Sequence, residues 1–143
     1  MKPGRPLCLA VLIFAPLAIA GCGGQGVSVA EGDRNREGAV LFSQNCAGCH
    51  TLDVAGAQGS ATKIADRERV DGPNFNTRKE EVDQVLYAIR NGGFSGAIMP
   101  ENIVVGEDAK KVAEFLAEFS GRSVAEARSG EAENDAGQQQ SGG

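Results

Sequence analysis

The nine residues Asn45-Cys46-Ala47-Gly48-Cys49-His50-Thr51-Leu52-Asp53 decide how the rest of the chain is read. Two cysteines bracket Ala47 and Gly48, and the only histidine of the chain follows at once. Sulfur and imidazole packed this closely suit a zinc ion, a dithiol reaction, or something larger held by covalent bonds. The residues around the stretch choose between these.

Upstream, Met1–Gly21 has the form of an export leader. Lys2 and Arg5 precede an apolar run, Leu7 to Ala20, and small residues follow. The run is short and interrupted by Pro16, so it reads as a leader and not as a membrane span. It ends in "LAIAGC", which resembles the bacterial lipobox. That resemblance implies cleavage before Cys22 and acylation of its sulfur, a stable anchor when two or more chains are attached. Ordinary cleavage near Ala20 is the alternative. Of the four cysteines, Cys8 leaves with the leader and Cys22 goes to lipid. Cys46 and Cys49 remain, with no other cysteine to pair. Outside the cytoplasm free thiols oxidise, so this pair is expected to be covalently occupied.

The chain of 143 residues carries a net charge of −5. Loss of the leader removes Lys2 and Arg5 and no acid, leaving 12 basic residues against 19 acidic. A polyanion such as nucleic acid is therefore excluded as a partner. The acidity fits solubility or docking to a basic partner. Four segments follow from composition. Residues 1–21 are the leader and 22–33 a Gly-rich tether that reaches at most ~40 Å. Residues 34–120 form the domain, and 121–143 a Gly, Ser, Glu and Gln tail expected to be disordered. So small a domain invites a staple or cofactor.

Its periodicity predicts an all-α fold of three to five helices. The first runs from Arg36 toward Cys46, with Ala39, Leu41 and Phe42 near one face. The second follows Thr77, where Thr77 and Glu80 have capping-box spacing. Val82, Val85, Leu86 and Ile89 form its stripe and Asn91-Gly92-Gly93 its stop. The third starts near Gly106, with Glu107 and Asp108 at its positive end and Val112, Phe115, Leu116 and Phe119 as its stripe. One helical turn is expected within 61–67, and no strand of useful length.

This setting sorts the rival chemistries. Structural zinc needs four protein ligands and catalytic zinc three. The mature chain has two cysteines and one histidine, all bunched together. A thioredoxin-like dithiol needs a strand-helix-strand context. The C-x-x-C-H spacing specifies attachment of haem c. Cys46 and Cys49 fix neighbouring edges of the macrocycle, and His50 supplies an axial imidazole. His50 is the only histidine, so a second histidine ligand from this chain is excluded. Met99 is the only methionine once Met1 is lost, and it sits in the irregular segment "GAIMPEN". Pro100 biases it toward extended backbone. Met99 is the expected sixth ligand. An open sixth site, or a lysine or asparagine ligand, is the alternative.

In order and type, several features together resemble a class I monohaem c-type cytochrome, in its bacterial, membrane-anchored lipoprotein form. They are Gly38 and Phe42, Cys46-Ala47-Gly48-Cys49-His50, Gly72-Pro73-Asn74, "VLYAIRNGG", Met99-Pro100 and "VAEFLAEF". The resemblance implies a small domain wrapped around one covalent haem, with first and last helices crossing near Gly38, Phe42 and Phe115. It implies that the Pro73 carbonyl orients His50. The connection from His50 to Pro73 is longer than in the smallest members. The chain has no tryptophan to meet a propionate, which leaves Arg69, Arg78, Arg90, Asn74 and Tyr87 as equal candidates. The function implied is single-electron transfer and not enzymatic turnover. The expected role is a monomeric carrier between membrane redox complexes, such as a quinol-oxidising complex and a terminal oxidase. It would work on the outer face of the cytoplasmic membrane, held there by the lipid. A fixed haem subunit of an exported oxidoreductase and a haem-based sensor are the alternatives.

Overall fold

The computed structural model describes residues 26–61, 63–94 and 98–129. Helix α1 (Arg36–Asn45) leads into strand β1 (Thr51–Leu52), a 3₁₀ turn (Asp53–Ala55) and strand β2 (Ala57–Gln58). A second 3₁₀ turn (Ile64–Asp66), helix α2 (Val82–Asn91) and helix α3 (Gly106–Phe119) follow. Residues 124–129 are helical as well. The fold is mostly helical with one small sheet.

α1 and α3 make the central crossing. α1 buries Gly38, Ala39 and Phe42. α3 buries Ala109, Val112, Ala113, Phe115, Leu116 and Phe119. Gly38 is required where they meet: a Cβ there would stand 2.8 Å from Phe115 Cβ and strike the Lys111 carbonyl. Glu37 and Lys111 pair across the crossing at 2.6 Å. So exposed a pair adds little beside the burial under it. α2 lays Val85 and Ile89 into the same core. It stops at Gly92, whose φ of 65° is left-handed, a conformation glycine adopts at little cost.

β1 and β2 pair antiparallel, Thr51 with Gln58 and Leu52 with Ala57. Thr51 also bridges to Asn74. These strands are too short to show any alternation, and for that reason periodicity did not reveal them. They join the segment after His50 to the segment around Pro73.

The structure corrects three sequence expectations. The spacing of Thr77 and Glu80 does not make a capping box. α2 begins at Val82 with no side-chain cap. Thr77 Oγ1 donates to the Asn74 carbonyl at 3.2 Å, and Glu80 is drawn inside, 5% exposed. There its N–H donates to Ser120 Oγ at 2.9 Å. The expected tether is packed from Val27 onward. Val29 is 1% exposed, Ser28 N donates to the Val54 carbonyl at 2.8 Å, and Arg36 Nη1 donates to the carbonyls of Val27 and Val29. The tail does not begin at Gly121. Ser123 and Glu126 form a capping box: Ser123 N donates to Glu126 Oε2 at 2.7 Å and Glu126 N to Ser123 Oγ at 3.3 Å. The turn they start buries Ala127. The folded unit thus extends beyond 34–120 at both ends. The leader, Cys22 and residues 130–143 lie outside the described residues.

Candidate functional site

The site begins where α1 ends. Cys46 N donates to the Phe42 carbonyl, and the N–H groups of Cys49 and His50 both turn back to the Cys46 carbonyl, at 3.1 and 3.0 Å. This tight turn brings two thiols and the imidazole to one cleft of about 380 Å³, within the range of small-ligand sites. Gly59 allows the turn to be covered, since a Cβ there would stand 2.6 Å from Cys49 N.

The Cys46 thiol is not poised for exchange. Burial, with Cys49 beside it, pushes the Cys46 thiol up to about 12. Reactive dithiols need the opposite shift. Among the described residues, no group of three His, Cys, Asp or Glu side chains is arranged to hold a metal ion directly.

His50 is oriented from the segment across the sheet. Gly72 N donates to the Cys49 carbonyl at 2.8 Å. This seats Gly72 against the imidazole so closely that a Cβ would stand 2.8 Å from Nε2. The next residue, Pro73, places its carbonyl 3.2 Å from His50 Nδ1. A carbonyl only accepts, so Nδ1 carries the proton and Nε2 keeps its lone pair. Burial lowers the pKa of the ring, and the Pro73 hydrogen bond offsets part of that effect. A neutral imidazole is the form that ligates iron.

Met99 lines the same cleft and packs half-buried against the core. The end of α2 makes room for it. At Gly92 a Cβ would stand 2.8 Å from the Met99 carbonyl. Asn102, with φ 54°, donates its N–H to the Ile89 carbonyl at 2.7 Å and pins the segment that follows. The double glycine therefore does more than stop a helix.

The cleft is apolar in its depth, with Phe42, Phe75, Val85, Ile89 and Leu116 among its lining residues, and charged at Arg67, Arg69 and Arg78. A flat macrocycle with two carboxylates fits such a lining. Two thiols, an imidazole and a thioether converge on it, and guanidinium groups stand along it. Residues 36–120 match the family model for cytochrome c. The chain belongs to the cytochrome c family. It is also similar to the cbb3-type cytochrome c oxidase subunit CcoP of Rubrivivax gelatinosus, with 33% identity over 86 residues. That match covers 59% of this chain and 25% of the relative, so the chain spans about a quarter of that subunit's length. No solved structure matches. This cytochrome c carries haem c, attached through Cys46 and Cys49, and transfers electrons.

The structure gathers Cys46, Cys49, His50, Pro73 and Met99 at one place. Of the five candidates for a propionate, only Arg69 and Arg78 line the cleft. Asn74 Oδ1 instead accepts from Asn76 N at 2.9 Å. Tyr87 stacks on Phe94 with centroids 5.2 Å apart, and Arg90 is exposed. Arg67 joins the lining; one more arginine in a run of charges carried no signal in the sequence. Glu80 has the spacing of a cap but is a buried carboxylate at the cleft, 2.5 Å from Arg78 Nε as an ion pair and not a directed hydrogen bond. Three arginines face only Asp71 and Glu80 in this lining, so the cleft does not share the acidity of the whole chain.

Proposed function

We propose that this cytochrome c is a single-electron carrier with His50 and Met99 as the two axial ligands of its iron. The observation that carries the reading is that His50 and Met99 line one cleft with both cysteines. Such a haem supplies one-electron exchange at a raised potential, because a thioether favours the ferrous state. The chain does the rest. Pro73 holds the imidazole proton, Gly72 lets the backbone close on the ring, and the apolar lining excludes water.

The test is the visible and near-infrared spectrum of haem-loaded protein beside Met99→Ala. The wild type should show the ferric sulfur-to-iron charge-transfer band and resist carbon monoxide. The variant should lose the band and bind the gas. A wild type that lacks the band and binds carbon monoxide readily would sink the His/Met assignment.

The carrier's place follows from the leader and "LAIAGC". Lipid on Cys22 would hold it at the extracytoplasmic face of the cytoplasmic membrane, among the complexes it serves. Val27 is already packed on the domain, so the span from Cys22 to the domain is limited by the length of chain between Cys22 and Val27. It reaches at most ~18 Å, and not the ~40 Å of an unpacked tether. Confinement so close to the bilayer raises the effective concentration of membrane partners. Intact-mass analysis of the membrane fraction should find an acylated Cys22 at the N-terminus; a soluble, unmodified Cys22 would refute the anchor. The similarity to an oxidase subunit supports a second reading, a fixed haem subunit beside a terminal oxidase. The two part on purification: a carrier is released alone in mild detergent, whereas a subunit stays with its enzyme.

A further inference from the structure

Pro73 meets His50 only at Nδ1, and 3.2 Å is at the far end of the range for such a bond. One long hydrogen bond at a single edge does not by itself fix the rotation of the ring. The face of the ring is also covered. Phe75 lies nearly parallel to the imidazole, with centroids 4.9 Å apart and planes 13° from parallel. Phe42 also approaches the imidazole, but tilted by 54° and at 6.3 Å.

Phe75 is not free to follow the imidazole. Its N–H donates to the Thr51 carbonyl at 2.8 Å, and its own carbonyl accepts from Gly121 N at 2.7 Å. It is thus tied to the residue after His50 and to the turn that ends α3. Its side chain meets Phe42 edge-on at 5.9 Å, and Phe42 packs on Phe115 of α3 at 5.9 Å. The ring that faces His50 is therefore backed by the central helix crossing.

We infer that Phe75 is a positioning residue for the axial ligand: its stacked ring fixes the rotation of the His50 imidazole, and through it tunes the redox potential of the iron. The inference rests on His50 being an axial ligand. Partners of a ligating imidazole set its orientation and basicity, and the orientation of an axial ligand plane governs how its orbitals overlap those of the metal. Pro73 holds the ring at one edge and Phe75 holds its plane.

A role in packing alone makes a different forecast. The experiment is proton NMR of the ferric, haem-loaded protein with a parallel potentiometric titration, on wild type, Phe75→Leu, Phe75→Met, Phe75→Tyr and Val29→Ala. The spread of the haem methyl resonances reports the ligand plane. Phe75→Leu and Phe75→Met should change that spread and shift the midpoint potential. Phe75→Tyr should restore both. Val29→Ala, in the core but outside the cleft lining, should lower the melting temperature and keep the wild-type spread. Methionine is unbranched and flexible and fills irregular gaps, so it serves if the leucine variant does not fold. Wild-type spread and potential in both Phe75→Leu and Phe75→Met would overturn the inference, as would an equal change of spread in Val29→Ala. A wild type lacking hyperfine-shifted imidazole protons would instead overturn His50 as ligand, and this inference with it.

Discussion

His50 and Met99 line one cleft from walls that are built differently. The His50 wall is tied to distant parts of the fold by directed contacts. Gly72 bonds Cys49, Pro73 bonds His50, and Phe75 bonds both Thr51 and Gly121. The Met99 wall is a segment laid over the end of α2, close to Gly92 and fastened just beyond by Asn102 on Ile89. One wall has its geometry set by the helix crossing. The other rests on a left-handed glycine and a short loop. Stiffness on one side and lighter fastening on the other suit the proposed ligation, in which the cofactor is held covalently and a soft, adaptable side chain completes the sixth position.

The sharpest way to break this asymmetry is Gly72→Ala. The added methyl would press on the His50 ring, and backbone bonds on both sides leave it no room to retreat. The expected loss is about 1–3 kcal/mol of stability. Haem content per chain, measured by pyridine haemochrome, should fall as well, because the ring can no longer meet Pro73. A variant with wild-type haem content and melting temperature would show that the His50 wall yields.

Gly92→Ala makes the matching change on the other wall. The cost of a left-handed alanine, with a methyl 2.8 Å from the Met99 carbonyl, is about 1–2 kcal/mol. Haem content should stay at the wild-type level. What changes is the sulfur ligand: the charge-transfer band should weaken at a lower temperature than in the wild type, while the covalent haem and His50 persist. If Gly92→Ala cost as much haem as Gly72→Ala, the two walls would be equally stiff and the contrast would be lost.

What the sequence made legible divides along the same line. Covalent chemistry is local, so Cys46, Cys49 and His50 could be picked out within five residues, and Met99 could be singled out as a candidate by the shortage of alternatives. The three main helices follow from apolar stripes. The His50 wall's other partners come from far along the chain. Gly72 and Phe75 act through tertiary contacts that no spacing rule reports, and the packing of Val29 rests on Arg36 satisfying two carbonyls. The capping boxes show the limit most plainly. Thr77 and Glu80 had the required spacing, but Ser120 and Arg78 draw Glu80 inward. Ser123 and Glu126 have the same spacing and do form the box. Their segment is poor in apolar residues, so nothing in the composition marked it as folded.

That second box supplies the mildest test of the His50 wall, because the wall is anchored beside it. Gly121 N holds the Phe75 carbonyl, and the helical stretch 124–129 starts three residues later. Ser123→Ala removes the cap and should cost about 1 kcal/mol. Faster amide exchange should appear first in 124–129 and more weakly at Gly121. Acid reaches the same contact by another route. Hydrogen bonds from the Ser123 N–H and hydroxyl hold the Glu126 carboxyl below its ordinary 4.5. A carboxyl depressed in the folded state stabilises above its unfolded value, and that contribution fades as pH falls through the folded one. Protection of 124–129 in the wild type should therefore decline below about pH 4.5, and Ser123→Ala should flatten the decline. If Gly121 loses protection in step with 124–129, the end of α3 and the His50 wall form one cooperative unit. If it does not, the stiffness of that wall comes from the helix crossing alone.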